Sequence, residues 1–579
     1  MKVVSDKLKE VMNQNIRPTT QFQASLEMRD RSVESDATVI TSTPTHFSTG
    51  VFDATHDGDY AAFENDFFRV GSNQRILPDS DYIRNGYVSS VMCDSNGVFQ
   101  EIPVIEITMA TAQKFLGMTY EFAYAYPTQI RVTYYLGGKR QGRFTSEPTD
   151  LTFVDSKNRL PEFDRIVFEF LSMSEPNRRL RIARISFGYE KMFNMRDILS
   201  VNHNLSIDPI SSSLPYEKLT LKVNNLDKDY NPDNPQGAWA YFTYGQQLSI
   251  RYGIEVDNEI EWVEVGKLHL SDAPTVDANS ASFEAVDTIS TLTKEYYKGL
   301  WREGGITLYD LAADVLNDAG VTRYVLADSL KSKVTFAPLP LLPHRDCLQM
   351  IANAGECVLY TDTQSGVVIE DQNHDETPVD YHIDFAKVFA KPIVKKTEKL
   401  KSVDVKVHSL HRGSELTELC RQTGVNIAGV KEIQVMYDAA TNVEATVVGG
   451  ELVGATYYAH TAFLRISAES TVDILVQGYV IRDDASVFST NVSDSGEVCP
   501  LDNPLITDTD RAKGVGEWVA AYLESRNSYD MNLRQDFTLD INDVVYIRSD
   551  FEDNIPARIT KLQFKLPGQQ GAVSVRRVK

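Results

Sequence analysis

Apolar and polar residues alternate along a central stretch of the chain, Leu219–Asp287. The apolar positions of this pattern are Leu219, Leu221, Val223, Leu248, Ile250, Tyr252, Ile254, Leu268 and Leu270. A period of two is typical of half-buried antiparallel strands. Residues 231–235 (NPDNP) interrupt the pattern, and this run of turn-forming residues predicts a rigid bend between two strands.

Short strand patterns also fill residues 52–187, where turn signals separate them and no long helical pattern occurs. The predicted strands are Val104–Met109, Phe122–Tyr126, Gln129–Leu136, Arg165–Ser172 and Leu180–Phe187. Many short strands with turns between them are typical of a β-sandwich. Two opening segments, 21–28 and 37–45, are also extended, and residues 1–17 are expected to form a short polar helix or arm.

Helical periodicity begins after Gly304, where apolar residues recur at intervals of three and four. Thr307 occupies the position of an N-cap and Gly320 is placed to end the helix. A second helix is predicted over Arg345–Ala354, followed by a hairpin around residues 362–366. These elements predict a small α/β module.

The chain is rich in strands again after residue 395, with one helix opening at residues 505–508. The predicted strands are Val403–Val407, Thr441–Gly449, Thr456–Ile466, Thr471–Ile481, Ile559–Leu566 and Ala572–Val578. The helix presents Ala512, Val515, Val519 and Leu523 on one face, which predicts that this face is buried.

The ordered motifs of the central stretch resemble those of phage tail and baseplate hub proteins. They are DxxxNPDNPQG from Asp227, GQxLxIxYG from Gly245, ExGKLxL from Glu264 and FxAxD from Phe283. The segment RQDFTLDINDVVYI from Arg534 is similar to the motif that closes the second hub domain, with Asn542 in place of the usual glycine and Phe537 near the usual proline. The resemblance implies the fold shared by contractile tail hubs and type VI secretion spike bases.

Residues 52–190 resemble a discoidin or galactose-binding jelly roll through the segments AAFE (61–64), RVGSNQRILP (69–78) and RIARISFGYE (181–190). The sequence thus predicts a mainly β protein with a small α/β module, two hub-type β-barrels and an inserted jelly-roll sandwich. The predicted domains are 1–51 (arm and first strands of barrel 1), 52–190 (jelly roll), 191–300 (rest of barrel 1), 301–394 (α/β module) and 395–579 (second barrel with one helix).

The formal net charge of −23 argues against a surface that binds nucleic acid, because contact with phosphates requires a basic patch. An acidic channel would instead repel DNA that passes through it. The five cysteines form no CxxC pair, which indicates free thiols and synthesis in a reducing cytoplasm. Neither a signal-like start nor an apolar run of membrane-spanning length is present, so we expect a soluble protein without a membrane span.

The common catalytic spacings HExxH, GxSxG, GxxxxGK[ST] and strand-linked GxGxxG do not occur, so we expect neither an enzyme nor a cofactor. Asp53, Thr55, Asp57 and Glu64 have the spacing of a calcium loop. Flanking helices are missing from the pattern. The alternatives are a solvated acidic turn, which we favour, and a structural calcium ion.

Other chemistry-bearing residues have simpler interpretations. We expect His408 and His411 to be surface histidines and Cys347, one helical turn from His344, to be a core residue. The arginine cluster of residues 178, 179, 181 and 184 predicts a solvated strand face, with a contact to an anionic glycan or a subunit as the alternative.

Four aromatic residues follow the NPDNP bend: Trp239, Tyr241, Phe242 and Tyr244. They either pack a domain core or form an interface, since Trp and Tyr are favoured interface anchors.

The resemblance implies a structural hub at the tail tip or baseplate of a phage or tail-like particle, made in the cytoplasm of the bacterial host. It implies a homotrimer whose partners are the distal tail or tube protein, the tape measure protein and a spike or fibre. Two alternatives stay open. One is a carbohydrate-binding adhesin that takes a surface glycan through the jelly roll, and the other is a tail-associated hydrolase.

Overall fold

The structure is a computed structural model whose residues divide into two compact units. Unit 1 comprises residues 1–24, 193–224 and 248–579, and unit 2 comprises residues 25–192 and 225–247. The residues that the structure describes are 2–14, 16–28, 37–45, 48, 51, 62, 64, 86–188, 190–234, 237–372, 378–379, 381–396, 398–525, 527–568 and 570–578.

Strands make up most of the regular structure, so the predicted mainly β class is confirmed. From the N-terminus to residue 286 they are β1 (Gln21–Glu27), β2 (Thr38–Thr41), β3 (Tyr87–Met92), β4 (Val104–Phe115), β5 (Met118–Phe122), β6 (Pro127–Leu136), β7 (Lys139–Ser146), β8 (Thr152–Asp155), β9 (Leu160–Met173), β10 (Arg179–Phe187), β11 (Glu190–Phe193), β12 (Ile198–Ser206), β13 (Tyr216–Asn224), β14 (Gln247–Val256), β15 (Glu259–Leu270), β16 (Thr275–Val276) and β17 (Ser280–Val286).

The later strands all belong to unit 1. They are β18 (Ile306–Thr307), β19 (Tyr324–Leu326), β20 (Val334–Thr335), β21 (Cys357–Thr361), β22 (Val367–Asp371), β23 (His382–Ile383), β24 (Ile393–Lys396), β25 (Leu400–Val407), β26 (Leu410–Arg412), β27 (Thr417–Asn426), β28 (Gly429–Met436), β29 (Ala440–Val448), β30 (Glu451–Tyr457), β31 (Thr461–Ala468), β32 (Thr471–Asp483), β33 (Ser486–Asn491), β34 (Glu497–Leu501), β35 (Asn527–Arg534), β36 (Val544–Ile547), β37 (Ile555–Leu566) and β38 (Gln570–Arg577).

Helices are few and short among the described residues. In that part of the chain the α-helices are α1 (Asp6–Asn13), α2 (Thr288–Thr291), α3 (Leu308–Asp318), α4 (His344–Ala354) and α5 (Thr509–Glu524), and two single turns of 3-10 helix occur at Trp239–Tyr241 and Asp328–Ser332.

A large antiparallel sheet forms the body of unit 1, with strands in the order β1-β14-β15-β17-β13-β12-β37-β38-β35-β24. β12 joins its two halves by pairing with β13 on one side and β37 on the other, where His203 faces Leu219 and Phe564. Within the described residues this order does not close on itself. The two barrels that the sequence predicts are therefore one open sheet, because strands from distant parts of the chain pair directly through β12.

The alternation in the central stretch reflects this sheet. Leu219, Leu221 and Val223 of β13 are buried, as are Tyr252 of β14 and Leu268 of β15, while the polar residues between them are more exposed. Since successive side chains of a strand point to opposite faces, one face of the sheet carries the apolar residues. The predicted strands are confirmed here.

The predicted helices are also present. The N–H of Asp310 donates to Thr307 Oγ1 at 3.0 Å, so Thr307 caps α3 as expected. Gly320 follows the helix with φ of +75°, in the left-handed region that favours glycine. The core of this module extends beyond residue 394, because Val403 of β25 and Val515 of α5 pack into the same buried cluster.

A second β-sandwich, which the sequence did not predict as a separate body, is inserted between β25 and β33. One sheet contains β26, β32, β27 and β29, and the other has the order β28-β31-β30. Their facing sides share a small core that includes Val435, Leu464, Ile466, Ile474 and Val476. These strands therefore lie outside the large sheet to which the sequence assigned them.

Unit 2 is built on a β-sandwich, as the strand spacing predicts. Its two sheets have the orders β2-β4-β9-β6-β7 and β3-β10-β5-β8. The shared core is rich in aromatic rings, among them Tyr120, Phe163, Phe168 and Phe187. β2 pairs with β4, with Val39 opposite Ile107, so this opening strand belongs to the sandwich and not to the first hub barrel.

Candidate functional site

The bend before the four aromatic residues is a series of consecutive turns. The N–H of Asn231 donates to the carbonyl of Lys228 at 3.1 Å, and the N–H of Asn234 donates to the carbonyl of Asn231 at 3.0 Å. The N–H of Gly237 then donates to the carbonyl of Asn234 at 2.9 Å. Lys228 has φ of +61°. These consecutive turns place a bend where the sequence predicts one, and its rigidity stays a prediction.

Polar contacts anchor this segment within unit 2. Arg159, which precedes β9, forms an ion pair with Asp229 at 2.8 Å, and both side chains are largely buried. The carbonyl of Asp229 also accepts from the N–H of Ala238 at 2.6 Å. The aromatic residues that follow are therefore held at a fixed place on the sandwich.

The four aromatic residues divide between core and surface. Phe242 is buried and packs against Tyr230, with ring centroids 5.8 Å apart. Trp239 and Tyr241 are half-buried, and Tyr244 is 58% exposed. Phe242 therefore contributes to folding, while Tyr244 presents its ring to solvent.

A groove of about 430 Å³ lies beside these rings, between the end of β4 and the aromatic segment. Its wall includes Lys114, whose Nζ lies 5.9 Å from the centroid of the Tyr241 ring. Gln246 closes the loop, since its Nε2 donates to the carbonyl of Tyr241 at 2.8 Å and its Oε1 accepts from the N–H of Thr243 at 3.1 Å. The groove therefore offers aromatic faces, amides and one cation, which are groups that bind polar and aromatic ligands.

Tyr241 keeps its proton over the physiological range. Burial raises the pKa of this phenol, and nearby Arg159 opposes the shift. The ring is thus a neutral donor and contact surface.

The candidate calcium loop is only partly placed. Asp53 and Asp57 lie outside the described residues. The Glu64 carboxylate is buried, accepts from the N–H of Arg179 at 3.0 Å and forms an ion pair with Arg181. Glu64 is thus a counter-ion and not part of a solvated turn, and the structural calcium ion stays an untested alternative.

The arginine cluster is not a solvated strand face, so this prediction was wrong for two of its members. Arg181 is 2% exposed and its guanidinium lies 5.7 Å from the centroid of the Tyr124 ring. Arg178 is also buried and its Nε donates to a Glu175 oxygen at 2.8 Å. Arg181 is buried because Glu64, remote in sequence, supplies the opposite charge, whereas Arg178 pairs with Glu175 three residues away.

His408 is likewise not a surface residue. It is buried, with Nδ1 lying 2.7 Å from Asp483 Oδ2 and Nε2 lying 2.9 Å from Asp502 Oδ1. His411 is exposed as predicted. His408, which directly follows β25, thus links the end of β32 at Asp483 to Asp502, which follows β34.

Cys347 is a core residue. Its side chain is fully buried, and burial raises the pKa of its thiol to about 12, so no thiolate is available as a nucleophile. Neighbouring His344 is bound to Asp318 Oδ2 through Nε2 at 2.9 Å. A Cys–His catalytic pair is not assembled here.

In the part of the chain that the structure describes, no three His, Cys, Asp or Glu side chains are grouped so as to hold a metal ion. Among the same residues, no helix has both the length and the apolar character needed to cross a bilayer.

No protein-family model matches the chain, and no curated protein matches it. It is similar to three solved structures that carry the titles of tail proteins. The 43 kDa tail protein of prophage MuSo2 from Shewanella oneidensis is 13% identical with a TM-score of 0.37, covering 67% of this chain and 95% of that one.

The tail protein from Neisseria meningitidis MC58 is 8% identical with a TM-score of 0.37, covering 66% of this chain and 93% of its own. Prophage tail protein gp18 from Listeria monocytogenes EGD-e is 8% identical with a TM-score of 0.35, and the match covers 67% of this chain and 91% of that one. A similarity with a TM-score below 0.5 does not define function, which has to be inferred from the residues of this chain.

Proposed function

We propose that the chain is a structural, non-enzymatic hub at the tail tip or baseplate of a phage or tail-like particle. In this role it joins the tail tube to a spike or fibre and surrounds the channel for DNA or tape measure. The observation that carries the proposal is the pairing of β12 with both β13 and β37. It unites the two hub-like motif regions, Leu219–Asp287 and Arg534–Val578, in one sheet.

Such a sheet suits a part that transmits force. Tyr252 is fully buried at its centre, and its ring centroid lies 4.9 Å from that of Phe22, 5.7 Å from that of Phe537 and 5.6 Å from that of Phe564. Rings from β1, β14, the segment that begins at Arg534 and β37 thus share one core. Close-packed interiors of this kind deform little under load.

The proposed assembly is a homotrimer in the virion tail, formed in the bacterial cytoplasm. Its partners are the distal tail or tube protein, the tape measure protein and a spike or fibre. The net charge of −23 supports a channel role, because an acidic surface repels the phosphates of passing DNA. Tyr244, whose side chain is exposed, is the proposed contact point for a neighbouring tail protein.

The test is the mass of the full chain by native mass spectrometry, together with its detection in purified tails. We expect three copies per complex and a blank zymogram on cell walls. A strict monomer at high concentration that is also absent from purified tails would reject the hub.

A second candidate is a carbohydrate-binding adhesin, favoured by the groove beside Tyr241 and Tyr244. Aromatic faces flanked by amides are common surfaces for binding of sugars as well as proteins. The full chain on a glycan array tests it, with Tyr244→Ala as the variant that should lose the signal. Glycan binding by a monomeric chain would favour the adhesin over the hub.

A further inference from the structure

Three basic side chains of unit 1 converge on a pocket of about 60 Å³ beneath the N-terminal helix. They are Arg17, which follows α1, Lys387 and Arg534. In a chain with a net charge of −23, such a concentration of positive charge is a distinct local feature.

Lys387 has no acceptor for its ammonium group. Among the described residues its Nζ makes neither a hydrogen bond nor an ion pair, and it lies 3.9 Å from the centroid of the Tyr381 ring. Burial lowers the pKa of Lys387, Asp536 and Asp384 oppose this, and Arg17 and Arg534 lower it further. A half-buried ammonium beside two guanidiniums is unfavourable unless an anion joins it.

The two arginines are fixed in place by backbone carbonyls. Arg534 Nη1 donates to the carbonyl of Gln14 at 2.9 Å, and its Nη2 donates to the carbonyl of Ala386 at 3.1 Å. Arg17 Nη2 donates to the carbonyl of Gln535, while its Nε is buried without a partner among the described residues. The pocket is therefore a preorganised set of cationic donors.

The two carboxylates that line the pocket are occupied elsewhere. Asp536 is buried and accepts from Tyr381 Oη at 2.6 Å and from Thr538 Oγ1 at 2.6 Å. Asp384 accepts from the N–H groups of Ala386 and Lys387 at 3.0 and 3.2 Å. Among the described residues neither forms an ion pair with Lys387, so its ammonium group has no direct counter-ion there.

We propose that this pocket binds a small oxyanion of the phosphate class, with Lys387 as its principal donor and Arg17 Nε as the second. Charge-assisted bonds from these cations to phosphate oxygens would satisfy both groups. A second cavity of about 380 Å³ shares Met12, Asn13, Tyr381 and Asp536 with the pocket, and provides room for the organic part of a phosphate ester.

Binding is coupled to the N-terminal arm, because Met12, Asn13 and Gln14 form one wall of the pocket. A ligand that binds only when these residues are in place stabilises the packed position of the N-terminal arm by mass action. Phosphate is therefore expected to protect residues 2–17 from proteolysis as well as to raise the unfolding temperature.

The test is calorimetric titration of the full chain with sodium phosphate and with glycerol 3-phosphate, at ionic strength matched by sodium chloride. Wild type should bind saturably. Lys387→Met should weaken binding at least about tenfold, the effect of losing one charged donor. Lys396→Met, which removes an exposed lysine of β24, should bind as wild type does. Tighter binding of the ester would identify esters, and equal binding would identify free phosphate, as the ligand.

Two results would overturn the proposal. One is the absence of saturable binding by wild type, which needs no variant to fold. The other is unchanged affinity in Lys387→Met. The variant should unfold, without phosphate, at the same temperature as wild type or higher, because it removes a cation from beside Arg17 and Arg534. Should it fail to fold, Arg17→Gln serves in its place.

Discussion

His203 Nε2 lies 2.7 Å from Glu217 Oε1, and this contact crosses from β12 to β13 inside the large sheet. His203 is fully buried and Glu217 nearly so. The N–H of Glu217 donates to the Asp287 carboxylate at 2.6 Å, which links a third titratable group to the pair. A polar network thus lies within the sheet that joins the two motif regions.

Removing the imidazole should destabilise unit 1 strongly. His203→Phe keeps an aromatic ring but leaves the Glu217 carboxylate buried without this partner, so the free energy of unfolding should fall by about 3 kcal/mol. Denaturant unfolding measures it. The control is Lys218→Met, which breaks the exposed Lys218–Glu284 pair of 2.9 Å and should change the free energy by less than about 1 kcal/mol. Equal effects of both variants would contradict the prediction.

Asp287 should make unit 1 less stable as the pH rises. Burial raises the pKa of Asp287 from 3.8 to about 6, Ser290 opposes the shift and Glu217 adds to it. The pKa of Asp287 is higher in the folded than in the unfolded state, so proton binding by Asp287 stabilises the fold. This stabilisation is complete below pH 3.8 and is lost as the pH rises through about 6. Relative to Asp287→Asn, wild type should lose about 3 kcal/mol of unfolding free energy between pH 4 and pH 7.5.

A control for this pH dependence is Asp277→Asn. Hydrogen bonds from Ser280 and from the Asn279 N–H lower the pKa of Asp277, so its contribution is lost only as the pH falls below its ordinary value. The difference in unfolding free energy between Asp277→Asn and wild type should stay constant from pH 5 to pH 7.5. An Asp287→Asn difference that is equally constant would refute the buried, proton-binding role of Asp287.

The two histidines near residue 410 should behave differently. His408→Ala leaves Asp483 and Asp502 without their shared imidazole partner and should lower the free energy of unfolding by about 2 kcal/mol. His411→Ala changes an exposed side chain and should alter it by no more than about 0.5 kcal/mol. Thermal unfolding of both variants is sufficient, and similar midpoints would show that His408 is not a structural link.

Two glycines with nearly the same φ provide a matched pair in unit 2. Gly86 has φ of +56°, and an added Cβ would lie 1.8 Å from the carbonyl oxygen of Ile182. Gly137 has φ of +55° and nothing within 4 Å of that position. Gly137→Ala should cost about 1 kcal/mol for the left-handed backbone alone. Gly86→Ala should cost about 4 kcal/mol, because backbone must move as well.

Within the aromatic segment, we expect one residue to affect stability and another to affect binding to other tail proteins. Phe242→Ala removes a buried ring and should cost about 3 kcal/mol in the free energy of unfolding. Tyr244→Ala should leave that free energy unchanged within about 0.5 kcal/mol but weaken incorporation into tails, measured by co-purification with the particles. Normal incorporation of Tyr244→Ala would remove this ring from the proposed interface.

Local features of the fold were accessible from the sequence. The alternation around Leu221 reports a side chain that points into a core, and the cap at Thr307 depends only on residues three positions apart. Asn542 has the positive φ expected where related motifs carry glycine, since asparagine tolerates this region. Such signals arise within a few residues and do not depend on what packs against them.

Features that depend on distant partners were not accessible. Arg181 and His408 appeared to be surface residues because Glu64 and Asp483, which make their burial possible, are remote in the chain. The inserted sandwich was missed in part because residues 456–466 looked like one strand, whereas β30 ends at Tyr457 and β31 begins at Thr461. Pairing of β12 with β37 leaves no local pattern.

The chain enters and leaves the inserted sandwich at a single place, between β25 and β33. Val407 at the end of β25 lies directly opposite Ser486 at the start of β33. Everything between them therefore occupies the position of an ordinary hairpin loop, and a turn of a few residues would close the same pair of strands. We therefore expect that this body can be lengthened, exchanged or deleted while β25 and β33 keep their register.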